Sequence, residues 1–236
     1  TAGAQDRRSA FVYDAAGRKV YSVQVQIAGS QNIVSKREFD AQDRLVESTS
    51  YAKTMALADF GKATLDSATT TNASAQDRTT AFVYDAVGRQ RFAVGADGSL
   101  SEKVYDALGR IKESRQFDLL LSNTTPRTED ALSARRAGRA VGDGITRGEK
   151  YSYDRAGRLL TTTDAAAFTE TNEYNALGDK TSFIDKNGAK WRYVYDRQGR
   201  LFDQYSPPVL VQLSNETVPT NRSLQRVEEP DLVYRT

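Results

Sequence analysis

The residues best equipped for chemistry come as a recurring word, Tyr-Asp-x-x-Gly-Arg. Full copies stand at Tyr13, Asp14, Gly17, Arg18; at Tyr84, Asp85, Gly88, Arg89; at Tyr105, Asp106, Gly109, Arg110; at Tyr153, Asp154, Gly157, Arg158; and at Tyr195, Asp196, Gly199, Arg200. Each copy gathers a phenol, a carboxylate and a guanidinium in one short stretch. Those groups can stack a cation on a ring, or grip sugar hydroxyls beneath a ring face. Much other chemistry is closed, because the chain has no cysteine and no histidine. Thiol nucleophiles, disulfides, Cys/His zinc sites, haem histidines and Ser-His-Asp triads are thereby excluded. Carboxylate acid/base work would need a pair held roughly 5–9 Å apart. Asp118, Glu129, Asp130, Asp164, Glu170 and Glu173 are available, but no spacing pairs them. Asp97-Gly98 and Asp185–Gly188 lack the alternating oxygen ligands of a calcium loop. The reading is therefore of a non-enzyme with no catalytic, cofactor or metal residues.

The spacing says what positions the word. Asp followed three positions later by Gly suits a type I turn whose Gly takes positive φ and closes a bulged hairpin. Two degenerate copies, FDAQDR at Phe39–Arg44 and YNALGD at Tyr174–Asp179, extend the series. Asp43 replaces glycine in the first of these, and Asp tolerates the left-handed region better than most residues. Strands before the turns alternate, so that Phe11/Tyr13, Phe82/Tyr84, Tyr151/Tyr153 and Trp191/Tyr193/Tyr195 each share a face. Tyr and Arg repeated in neighbouring hairpins could stack into ladders, at roughly 0.5–1 kcal/mol per exposed contact. Asp97-Gly98 and Asn187-Gly188 read as two-residue type I′ turns between the repeats.

Two periods organise the chain. The shorter is the step from Tyr84 to Tyr105, which recurs unchanged from Tyr153 to Tyr174 and from Tyr174 to Tyr195. The longer brings AQDRRSAFVYDAAGR at Ala4–Arg18 back as AQDRTTAFVYDAVGR at Ala75–Arg89. Three long units follow, over 1–71, 72–141 and 142–205, and then a segment 206–236 read as an extended tail or edge strand. The first two units carry insertions near 51–74 and 117–146. After Thr125-Pro126, acids come early and bases late, with Gly138 beyond. That reads as a short helix capped by Thr125. Met55–Ala68 is a second helix candidate, interrupted by Gly61. The basic run Arg135, Arg136, Arg139 reads as a solvated helix face. The aromatic residues, 12 Tyr and 9 Phe, are numerous enough to build a core. The fold class expected is all-β: repeated antiparallel hairpins in an open, twisted, spiralling sheet with one or two helical insertions.

The recurring word and its even short step resemble the Rhs/YD-repeat family over roughly Gln5 to Pro208. The phrase DKNGAKWRYVYDRQGRLFDQYSPP at Asp185–Pro208 reads like a longer bacterial member. In bacterial polymorphic toxins and in Tc insecticidal complexes, such repeats form a sheet that winds into a hollow shell around a C-terminal toxin. The resemblance implies a structural wall segment of a larger secreted or exported bacterial protein. Its partners would be the rest of the parent chain and the enclosed cargo. Beginning at Thr1 inside a repeat, the chain is expected to be a piece of that parent. The alternative reading is an extracellular carbohydrate-binding or adhesive module with cell-surface glycans as partners. With 33 basic and 31 acidic residues, formal net charge is +2, which gives no electrostatic case for nucleic acid. No apolar run is long enough for a membrane helix.

Overall fold

The computed structural model describes residues 8–25, 31–122, 125–137, 146–207 and 233–235. The expectations about Gly138, Arg139 and most of the 206–236 tail fall outside those residues. The chain forms two compact units, Thr1–Gly109 with Ser114–Arg147, and Arg110–Glu113 with Gly148–Thr236.

In the first unit the strands are β1 (Arg8–Tyr13), β2 (Lys19–Val25), β3 (Gln31–Phe39), β4 (Leu45–Ser50), β5 (Met55–Ala56), β6 (Arg78–Tyr84), β7 (Gln90–Val94), β8 (Ser99–Tyr105) and β9 (Ile111–Leu120). Helix α1 (Lys62–Thr71) lies between β5 and β6, and α2 (Glu129–Arg136) follows β9. The strands neighbour one another in chain order, except that β5 pairs with the far end of β3 and β4 pairs directly with β6. The second unit holds β10 (Thr146–Tyr153), β11 (Leu159–Asp164), β12 (Thr169–Tyr174), β13 (Lys180–Ile184), β14 (Lys190–Tyr195), β15 (Leu201–Tyr205) and β16 (Val233–Arg235), again in chain order. The pairings are antiparallel and neither unit closes into a barrel, so the fold class is the one expected: hairpin repeats in an open sheet with two short helices.

Each copy of the word makes the same hairpin. In β6–β7 the Gly88 amide donates to the Asp85 carbonyl at 2.9 Å, and the Asp85 amide to the Arg89 carbonyl at 2.9 Å. Gly88 has φ +86°, and the register slips by one between Val83 and Tyr84. That is a type I turn followed by a G1 bulge. Asp43, with φ 61°, does the glycine's work in its copy.

The turns at Asp97-Gly98 and Asn187-Gly188 correct the sequence reading. Gly98 donates to the Gly95 carbonyl and Gly188 to the Asp185 carbonyl, while Asp97 and Asn187 keep negative φ. Both are therefore the same bulged type I hairpin, since type I′ needs positive φ at both central residues. Another such hairpin, Asp164–Phe168, was missed because Ala167 occupies the left-handed position at φ 67°.

Aliphatic residues make up most of the core of the first unit. In the AFVYD stretch it is Ala81 and Val83 that are buried, with Phe92, Val94, Leu100, Phe117, Leu121 and the α2 residue Leu132. A second cluster joins Val20, Tyr21, Val23, Val34 and Met55 to Leu65 of α1. The two helices supply Leu65 and Leu132, each fully buried, at roughly 1.5–3 kcal/mol of transfer free energy apiece. Phe11 and Tyr13, by contrast, are about half exposed, so of the described aromatic residues only Tyr21, Phe92 and Phe117 are core members here.

Both helices begin at other residues than expected. Thr128 caps α2, its hydroxyl accepting from the Ala131 amide at 3.3 Å. Thr125 instead hydrogen-bonds Ser122 in the approach to the helix. Gly61 caps α1 rather than interrupting it, because Met55 is committed to β5.

Candidate functional site

The site is built from the turn outward. The Asp85 carboxylate accepts the Arg89 amide at 2.8 Å and the Val87 amide at 3.1 Å through one oxygen. Its second oxygen takes the Arg89 guanidinium Nε at 2.8 Å. Asp14 with Arg18, Asp40 with Arg44, Asp154 with Arg158 and Asp196 with Arg200 repeat this clasp, each with Nε to Oδ2 at 2.6–2.7 Å. Backbone amides aimed at a carboxylate favour its charged form. The Arg18, Arg158 and Arg200 amides thus hold Asp14, Asp154 and Asp196 below the usual carboxylate range. At Asp40 and Asp85, burial pushes upward, yet the amides and the arginine win and these too lie low.

The clasp aims each guanidinium at the following repeat. Arg18 lies over Phe39 at 5.1 Å from the ring centroid, Arg44 over Tyr84 at 4.5 Å and Arg89 over Tyr105 at 4.4 Å. In the second unit Arg110 lies over Tyr153 at 4.6 Å and Arg158 over Tyr174 at 4.7 Å. Each tyrosine answers with its hydroxyl, which donates to the carbonyl just after that arginine. Tyr84 bonds Leu45, Tyr105 bonds Gln90 and Tyr153 bonds Ile111, all at 2.7 Å, and Tyr174 bonds Leu159 at 3.0 Å. At three rungs the guanidinium Nη1 also donates to the carbonyl of the next repeat's Asp or Asn: Arg18 to Asp40, Arg110 to Asp154 and Arg158 to Asn175.

Every residue type in the word therefore has a position-specific task. Gly admits the positive φ, Asp organises the turn and aims Arg, and Arg and Tyr join one hairpin to the next. Arg200 shows what the stack does. Its side chain is 76% exposed with no ring above it among the described residues, against 30% for Arg158.

One rung departs from the rest. In YNALGD, Asn175 accepts the Leu177 and Asp179 amides as an aspartate would, and its amide group donates to the Asp179 carboxylate at 2.9 Å. Asp179 stands where the other copies carry arginine. Tyr195 accordingly has no cation over its ring among the described residues, and its hydroxyl ionises late because of burial, with the Asp179 charge adding to the effect.

A second polar cluster escaped the sequence reading. Glu102 on β8 is buried and faces Arg115 at 3.1 Å, Arg136 at 3.2 Å and Arg91 at 3.4 Å. Arg91 also contacts Glu129 on α2. These residues border a cleft of about 420 Å³ beside Asp85, Arg89 and Tyr105. The signal was present in the alternation: Glu102 shares the inward face of β8 with Leu100. Arg136, read as part of a solvated helix face, instead reaches back to the sheet.

Several of the candidate carboxylates are engaged by cations. Asp164 pairs with Lys186 at 3.0 Å, Glu173 with Lys190 at 3.3 Å, and Glu129 belongs to the α2 network. Among the described residues no group of three or more acidic side chains could hold a metal.

No family model matches the chain, and no curated protein matches it. Solved structures do. The crystal structure of TcdB2-TccC3-Cdc42 aligns with a TM-score of 0.50 at 12% identity over 85% of this chain. The crystal structure of TcdB2-TccC3-TEV aligns at 0.43 with 14% identity over 84%, and a Tc holotoxin pore from Photorhabdus luminescens at 0.43 with 12% identity over 85%. The chain spans about a tenth of the length of these proteins. At such identity the likeness in the first case is one of fold.

Proposed function

We propose that this chain is a structural wall segment of a larger Rhs/YD-repeat protein, exported from a bacterium, whose wound sheet encloses a toxin or effector cargo. The observation that carries this reading is the ladder. Arg, Tyr and Asp are spent on joining consecutive hairpins, which is what a wall needs and a ligand site does not. The shared fold with a segment of the TcdB2-TccC3-Cdc42 structure supports it. A wall of this kind acts by enclosure, and the reading assigns the chain no turnover. Winding also gives each strand edge a neighbour, which removes the pairing hazard of an exposed edge. No helix among the described residues is long and apolar enough to cross a membrane, in keeping with a delivered protein.

The glycan reading has less behind it. Tyr84, Tyr105, Tyr153 and Tyr174 each have one ring face under an arginine and the hydroxyl already bonded.

The test is the intact mass of the native product, with sequence tags from both ends and limited proteolysis. A product several times longer than 236 residues supports the reading, if it carries more copies of the word and a further domain that resists protease until the wall is cut. A native product of about 236 residues that binds immobilised glycans saturably overturns it.

A further inference from the structure

We infer that the Asp179–Tyr195 rung is a binding slot for a guanidinium group supplied from outside this part of the sheet, held between the Asp179 carboxylate and the face of Tyr195. The regular rungs define the shape of such a slot. At four of them a guanidinium carbon lies 4.4–4.7 Å from the next tyrosine's ring centroid. There its Nη1 also fills the space beside the next turn's glycine, 3.4–3.9 Å from where a Cβ on Gly88, Gly109, Gly157 or Gly178 would sit. At Gly199, the equivalent glycine of this rung, nothing among the described residues lies within 4 Å of where a Cβ would sit.

The substitution does more than clear the space. An Arg→Asp exchange at residue 179 inverts the local charge, and Asp179 makes no ion pair among the described residues. Its contact is the neutral Asn175 amide. The Asp179 charge is felt at Tyr195, and a carboxylate near an aromatic face is complementary to a planar cation, which pairs with the first and stacks on the second. The Asp196 carbonyl adds an acceptor at the place where Asp154 and Asn175 receive the incoming Nη1. The slot's geometry belongs to this chain's own residues and holds whether or not the chain is part of a shell.

The experiment is titration of the whole chain, with ring-labelled tyrosines, by N-acetyl-arginine amide, with N-acetyl-citrulline amide as the uncharged control. The inference expects a saturable shift of the Tyr195 ring signals with arginine alone, weakened about fivefold in Asp179→Asn, as for one partly exposed ion pair. In Asp179→Arg the internal arginine takes the position, so the probe shift is lost and the new side chain shows the upfield ring-current shift that Arg158 shows over Tyr174. Absence of a Tyr195 shift in the unmodified chain overturns the inference, as does an equal response to citrulline. An Asp179→Asn variant that binds arginine unchanged overturns it too, and that variant keeps the test open should Asp179→Arg fail to fold. A peptide presenting YDRAGR that binds at least tenfold more tightly than the single residue assigns the group to a protein side chain. Equal affinity assigns it to a small guanidinium compound.

Discussion

The two units are made from the same word and differ in what covers the strand face between the aromatics. In the first unit Val83, one residue before Tyr84, is buried beneath a cluster that includes Leu132. In the second, Val194, one residue before Tyr195, is 42% exposed. Among the described residues all the buried apolar side chains belong to the first unit, and the buried side chains of the second are Glu113, Asn172 and Ser182. The third long repeat lacks the insertions that furnish α1 and α2. The second unit therefore depends on its turns, its rungs and cross-strand pairs such as Phe183 with Trp191. The lesson is that the ladder fixes register between hairpins, while helical insertions add the burial that makes a core.

The comparison can be broken most forcefully in the first unit. Phe92→Ala should cost about 3–5 kcal/mol, as a fully buried aromatic does. Glu102→Ala should cost a similar amount, about 3–5 kcal/mol, because three arginines lose their shared counter-ion. Both are read from urea midpoints by far-UV circular dichroism. A cost below about 1 kcal/mol for either would refute the picture of a dense, helix-covered core.

Next comes the order of unfolding. Trp191, the single tryptophan, reports the second unit. Its fluorescence transition should precede the circular dichroism transition of the whole chain, since the less buried region opens at lower free energy. Coincident transitions would show that the two regions unfold together.

A smaller effect separates a complete rung from an open one. Arg158→Ala removes a turn clasp, a ring contact and a bond to the Asn175 carbonyl, and should cost about 1–2 kcal/mol. Arg200→Ala loses only an exposed clasp and should cost less than about 0.5 kcal/mol. Equal costs would mean that the stack contributes nothing. In the opposite direction, Ala167→Gly should stabilise by about 0.5–1 kcal/mol, because glycine adopts φ 67° without the Cβ clash.

The smallest effect is the acid one. Asp14, Asp40, Asp85, Asp154 and Asp196 all titrate below 3.8 when folded. Protons therefore bind the unfolded chain first, and the clasps stabilise fully above that value. Stability should fall progressively as pH drops below about 4. Mutating one clasp aspartate to asparagine should flatten that fall; an unchanged slope would remove the clasp as its source. At the alkaline end Tyr21, pushed up to about 12 by burial, should withdraw stability as pH rises from 10 towards 12.

Much of this was legible in the residues. The turns were, because their determinants are near neighbours in the chain: a carboxylate, two amides and a glycine free to take positive φ. Gly98 shows where local reading stops. It needs φ +84°, which the Asp-Gly pair announces, but a Cβ there would also lie 2.6 Å from the Leu121 carbonyl, a contact set by chain beyond the end of β9. The type I′ assignment failed for a related reason, since a two-residue signal cannot say how many flanking residues join the turn. Glu102 was legible as an inward acid, yet its three arginines come from β7, β9 and α2.

The sequence by itself determined the repeating hairpin, its bulge and the Asp–Arg clasp, because each is closed by bonds between near neighbours. Only the tertiary structure decided which ring each arginine meets. Arg89 reaches Tyr105 in the very next hairpin of the sequence, while Arg44 reaches Tyr84 with β5 and α1 looped out between them, and the two contacts are 4.4 and 4.5 Å. Distance along the chain drops out once antiparallel pairing sets hairpins side by side. It was likewise packing that decided which strand face became the core, since burial depends on whether a helix arrives to cover it.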